Sequence, residues 1–83
     1  LCIYRGNLFA DWQGDALIAG LSSKAIVRVR LGLDEASEIA RYDMQARIRS
    51  VREAPDGSVW VLEDERRGSQ GRLMKLVPNT GGN

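Results

Sequence analysis

Three groups of side chains in this sequence have the composition of a chemical site. Glu63, Asp64 and Glu65 are consecutive carboxylates, the residue type that binds hard cations. No second acidic group stands at the spacing of a calcium loop, so the run reads as a solvated strand end. Arg66, Arg67 and Arg72 frame Gly68-Ser69-Gln70-Gly71, a composition that could cradle a phosphate. The Gly-Lys-Ser/Thr ending of a phosphate loop is missing, and the segment reads as an exposed hairpin. Trp12 and Trp60 could stack on a ring; Trp60 lies inside an apolar run and belongs to a core, while Trp12 packs under its own turn. Cys2, the one cysteine, has no base to activate it and reads as a small buried apolar residue.

What is missing narrows the chemistry further. The sequence has no histidine, which removes Ser-His-Asp and Cys-His catalysis and any imidazole ligand. One cysteine allows neither an intramolecular disulfide nor a cysteine-based zinc site. Twelve basic residues, ten of them Arg, stand against eleven acidic ones interleaved throughout. The resulting net charge of +1 speaks against nucleic acid as a partner. No apolar run approaches the roughly 20 residues of a membrane span.

The elements that must position these residues are short and β-rich. Ala16 to Leu21 is an apolar run too short for a helix, and Asp11-Trp12-Gln13-Gly14-Asp15 before it reads as a turn. Over Ala25 to Leu31, alternation puts Val27, Val29 and Leu31 on one face and Arg28 and Arg30 on the other, a half-buried strand. Arg47 to Glu53 forms a further strand that stops at the turn Pro55-Asp56-Gly57. Ser58 to Leu62, apolar on both faces, predicts a central strand covered on both sides. A last strand, Arg72 to Val77, is stopped by Pro78. From Asp34 through Ala46, composition favours a helix capped at Asp34 with Ile39, Tyr42 and Ala46 on one face. An exposed outer strand over Glu35 to Tyr42 is the alternative, and local reasoning leaves the two open.

Turn, apolar strand, loop and amphipathic strand occur twice, about 43 residues apart, starting near Trp12 and near Ala54. That is the period of β-propeller blades, each of which needs neighbours to bury its two faces. A chain of 83 residues holds one small domain and buries only about 60–65% of its unfolded surface. Beginning at Leu1-Cys2-Ile3-Tyr4-Arg5, without the layout of a signal peptide, it reads as a piece of a longer protein.

Several segments, in order, carry a resemblance. They are Tyr4-Arg5-Gly6, Asp11 to Leu17, Val27-Arg28-Val29, Arg47-Ile48-Arg49-Ser50-Val51-Arg52, Ala54-Pro55-Asp56-Gly57 and Val61-Leu62-Glu63-Asp64. Together they resemble the C-terminal end of the pyrroloquinoline quinone (PQQ)-dependent sugar dehydrogenases, the glucose/sorbosone dehydrogenase group. The resemblance implies an all-β fold: about one and a half blades of a six-bladed β-propeller, with antiparallel sheets. Residues 1–46 would form one partial blade, 47–78 the final partial blade and 79–83 a flexible tail. Missing N-terminal blades or homo-oligomerisation would complete it.

By the same resemblance, Arg47 and Arg49 are PQQ-binding candidates and Asp64 lies on the cofactor side. Residues two apart on a strand share a face, and paired guanidiniums suit a planar tricarboxylate. Without the motif, both arginines would read as solvated. Two positions depart from the family: Ser22 stands where a cofactor-binding lysine is common, with Lys24 two residues on, and Ser50 replaces an aspartate. The family's catalytic histidine and calcium ligands lie upstream, so no residue here is catalytic and the isolated chain would not oxidise sugars. A full-length protein would take a sugar as substrate and be periplasmic or secreted. The alternative is a free-standing propeller-derived module that acts by self-association or by binding a partner.

Overall fold

A computed structural model describes residues 1–78; the tail expected over 79–83 lies outside the described residues. Among the described residues seven strands, β1 (Cys2–Ile3), β2 (Ala16–Ala19), β3 (Ala25–Leu31), β4 (Ala36–Asp43), β5 (Ile48–Glu53), β6 (Val59–Glu63) and β7 (Leu73–Leu76), follow one another. Ala10–Trp12 forms a single 3-10 turn between β1 and β2. The strands make two antiparallel sheets in sequential order, β1-β2-β3-β4 and β5-β6-β7. The core lies between them: Tyr4, Leu17, Ile26, Ile48, Val51, Val59 and Val61 pack as one buried cluster.

The turns explain several of the recurring residues. Asp56 Oδ1 accepts the Ser58 N–H at 2.9 Å and the Ser58 hydroxyl at 2.6 Å, while Gly57 turns the chain at φ +89°. The Tyr4 hydroxyl donates to the Gly57 carbonyl and accepts the Phe9 N–H at 3.1 Å, tying the N-terminal segment to the β5–β6 turn. Gly6 lies so close to that turn that a Cβ on it would stand 2.8 Å from Gly57 Cα. Trp12 stacks on Phe9 at 3.9 Å between ring centroids, with Tyr4 edge-on at 5.9 Å and Tyr42 at 5.4 Å.

One expectation needs correction. The helix favoured over Asp34 to Ala46 is instead β4, paired along β3 from Ala25↔Asp43 to Leu31↔Ala36. Helix propensity is a weak preference, and a second strand satisfies the backbone groups along the free edge of β3. A bulge between Arg28 and Val29 leaves Ile39 without a cross-strand partner, and Ile39 is exposed. On β3 the strand is half-buried as expected: Arg28 lies opposite the buried Leu17, Val27 and Val29 are half-buried, and Arg30 and Leu31 at its end are exposed. β6 is central in its sheet, as expected, and its inward face is covered within the described residues. Val59, Val61 and Glu63 point into the core, while Leu62 is exposed and Trp60 is half-buried with Lys75 Nζ 5.8 Å from its ring centroid.

Candidate functional site at the start of strand β5

Arg47 immediately precedes β5 and Asp64 immediately follows β6, so the antiparallel pairing Ile48↔Glu63 brings them side by side. The Asp64 N–H donates to the Arg47 carbonyl at 2.7 Å. Between Ile48 and Ser50 the register shifts, which leaves Arg49 outside the regular ladder. Both arginines reach the one carboxylate. Arg47 Nε lies 3.3 Å from Asp64 Oδ2; Arg49 donates to Oδ1 from Nε at 3.2 Å and from Nη2 at 2.8 Å. Asp64 is buried, Arg47 mostly so, and Arg49 is 48% exposed. The Arg49 guanidinium, and after it that of Arg47, hold the Asp64 carboxyl below its ordinary range.

Two guanidiniums against one carboxylate leave a surplus positive charge and terminal nitrogens not engaged by Asp64. Arg49 also lines a shallow cleft with Leu62, Glu63, Glu65 and Gly71. The free guanidinium nitrogens are of a type that binds a carboxylate, with Glu63 and Glu65 adding negative charge to the same cleft. The loop between β2 and β3 starts beside the pair, because the Gly20 carbonyl accepts the Ile48 N–H at 3.0 Å. That loop carries Ser22 and Lys24; the backbone of Lys24 is left-handed at φ 55° and its carbonyl accepts the Met44 N–H at 2.8 Å. Ser50 pairs across β5–β6 with Leu62.

The acidic run is not a solvated strand end. Glu63 and Asp64 are buried, and only Glu65 is exposed. Glu63 accepts Arg72 Nε at 2.6 Å and the Gln70 N–H at 2.7 Å, in that order of influence, and its carboxyl is likewise held below its ordinary range. Buried carboxylates require such partners, since desolvating an unpaired charge is costly. Among the described residues no group of three or more Cys, Asp or Glu side chains could hold a metal ion. The Arg66-Arg67 loop does form a β6–β7 hairpin with mostly exposed residues.

Sequence reasoning missed a second site of the same composition. Asp15, buried before β2, sits 3.3 Å from Arg28 Nε and accepts from Arg30 Nε and Nη2 at 3.2 Å each. Arg28 Nε is buried, and its contact with Asp15 is an ion pair without hydrogen-bond alignment. Arg28 also lies 6.0 Å from the Trp12 ring centroid. The signal was present: Arg28-Val29-Arg30 has the spacing of Arg47-Ile48-Arg49, and each pair serves an aspartate beside the second strand of its sheet.

The chain as a whole is similar to several known proteins. The sequence profile described as Glucose / Sorbosone dehydrogenase matches residues 1–75. The Aldose sugar dehydrogenase YliI of Escherichia coli is 35% identical over 80 residues, which cover 94% of this chain and 21% of that protein. An uncharacterized protein of Synechocystis sp. is 38% identical over 79 residues, 92% of this chain and 18% of its own length. Among solved structures, the soluble aldose sugar dehydrogenase from Escherichia coli in its apo form aligns with a TM-score of 0.75 at 29% identity, over 93% of this chain and 22% of that one. A glucose dehydrogenase aligns with a TM-score of 0.73 at 34% identity, over 94% of this chain and 24% of that one. The chain thus spans about a fifth of the length of the curated relatives it matches. With an all-β pair of antiparallel sheets corresponding to about one and a half blades, it belongs to the glucose/sorbosone dehydrogenase family.

Proposed function

We propose that this chain is the cofactor-flanking C-terminal part of a PQQ-dependent sugar dehydrogenase, and that Arg47, Arg49 and Asp64 form one wall of the cofactor site. The observation that carries this is the shared carboxylate: Asp64 fixes both guanidiniums side by side at 2.8 to 3.3 Å and leaves them a surplus positive charge. When bound, PQQ supplies the two-electron acceptor for oxidation at sugar C1. Arg47 and Arg49 would bind and orient its carboxylates, Arg49 from the exposed side and Arg47 from the buried side. Asp64 holds the pair apart from competing partners and stays ionised while doing so. The residues present fit the group through charge and donor chemistry.

In this reading, 1–46 is one blade unit and 47–78 the last, and upstream blades cover the outer sheet faces. The base that takes the sugar proton and the calcium ligands reside in those blades, so the chain alone is inactive; with no histidine it has no group of that kind. The whole protein would be periplasmic or secreted. Among the described residues no helix is long and apolar enough to cross a membrane.

Titration of the full-length protein with PQQ, followed by quenching of tryptophan fluorescence, tests the assignment. Arg47→Ala and Arg49→Ala should each weaken binding by at least tenfold. Affinity unchanged in both variants would remove these residues from the site.

A further inference from the structure

The segment between β6 and β7 has the composition of a solvent loop, yet its contacts converge on one distant residue. Ser69 Oγ accepts the Arg47 N–H at 3.0 Å, across 22 residues of sequence. The Asp64 N–H binds the Arg47 carbonyl at 2.7 Å, and Asp64 Oδ2 takes Arg47 Nε at 3.3 Å. Arg47 is therefore gripped at its backbone donor, its backbone acceptor and its side chain by one hairpin segment.

That segment is itself pinned. The Glu63 side chain, 1% exposed, accepts from Arg72 Nε at 2.6 Å and from the Gln70 N–H at 2.7 Å. The Gly71 N–H donates to the Asp64 carbonyl and the Ser69 N–H to the Arg66 carbonyl, each at 3.1 Å. Left-handed backbone at Arg67, Gly68 and Gly71, with φ of 54°, 89° and 70°, turns the chain back on itself so that Ser69 faces β5. Arg47 precedes the first ladder residue, Ile48, so the sheet alone does not hold its N–H.

We infer that Ser69 is a positioning residue for Arg47, and that Glu63 is the anchor keeping Ser69 within reach. Through them the β6–β7 hairpin sets the direction of the Arg47 guanidinium toward its ligand. The identity of that ligand as PQQ rests on the reading above; the grip on Arg47 does not.

The test uses the full-length protein in five forms: wild type, Ser69→Ala, Ser69→Thr, Glu63→Gln and, as a matched control on β4, Ser37→Ala. Two quantities are read, hydrogen exchange at the Arg47 amide and the dissociation constant for PQQ. Removing one hydrogen bond should speed Arg47 exchange by about tenfold in Ser69→Ala and weaken PQQ binding by a similar factor. Ser69→Thr, which keeps the oxygen, restores both, Glu63→Gln moves both in the direction of Ser69→Ala, and Ser37→Ala changes neither. Unchanged Arg47 exchange in Ser69→Ala overturns the inference, as does faster exchange with PQQ affinity intact. If PQQ binds no form, wild type included, while exchange responds as expected, the grip on Arg47 is upheld and the cofactor assignment falls.

Discussion

Arg49 donates two hydrogen bonds to Asp64, from Nε at 3.2 Å and from Nη2 at 2.8 Å, although 15 residues separate them in sequence. The second carboxylate oxygen goes to Arg47. Asp15 likewise faces Arg28 and Arg30 at the start of β2, but there Arg30 takes both oxygens and Arg28 contributes an ion pair alone, whereas Asp64 stands at the end of β6. One device, a buried aspartate between arginines two apart, is thus used twice. Only the Asp64 cluster belongs to the proposed cofactor site.

Acid should weaken this architecture in a defined direction. Asp64 lies below its ordinary 3.8 and Glu63 below 4.5 in the folded protein, through Arg49 and Arg72 respectively. The unfolded chain therefore binds more protons near those values, and the stabilisation is fully present above them. It is lost as pH falls through the lower, folded-state values. Urea midpoints of the full-length protein should be flat from about pH 7 to 5 and drop below about pH 4.5. An Asp64→Asn, Glu63→Gln double variant should show a shallower drop; an unaltered pH profile would contradict the assignment.

Tyr4→Phe removes a buried hydroxyl that serves two backbone groups, the Gly57 carbonyl and the Phe9 N–H. The ring and its packing against Trp12 remain. Leaving both groups unsatisfied should cost about 1–3 kcal/mol. Thermal or denaturant unfolding measures it, and a loss below a few tenths of a kcal/mol would show that water replaces the hydroxyl.

Two glycines separate backbone strain from crowding. Gly14, at φ +84°, has open space where a Cβ would go, so Gly14→Ala should cost about 1–2 kcal/mol from conformation alone. Gly57, at φ +89°, would place its Cβ 3.2 Å from Leu8 Cγ and from the Tyr4 oxygen. Gly57→Ala should therefore destabilise the protein more than Gly14→Ala. Equal unfolding midpoints for the two variants would refute the distinction.

Asp15→Asn is expected to lower thermal stability, because it leaves the buried Nε of the mostly buried Arg28 without its opposing charge. PQQ affinity should stay unchanged, since Asp15 shares no partner with the Arg47–Asp64 cluster among the described residues. Weakened PQQ binding in Asp15→Asn would show that the two clusters are coupled.

Much of this protein was determined locally. Turn chemistry at Pro55-Asp56-Gly57 and at Trp12 to Asp15 bounds strands where those residues stand, and period-2 alternation marks β3 as a strand. The ordered motifs around Arg47-Ile48-Arg49 were sufficient for the family. Tertiary structure decided the rest. Whether 34–46 is helix or strand depended on the free edge of β3, which no local preference registers. Alternation defines two faces of a strand but not which residues folding covers; on β3 Arg28 is covered, against the buried carboxylate of Asp15, while Arg30 stays half exposed. Glu63 and Asp64 look like solvated acids until the strands pair, because their partners Arg72, Arg47 and Arg49 lie 9 to 17 residues away. A charge's environment is set by what folding brings beside it, and that information is not carried by its neighbours in the chain.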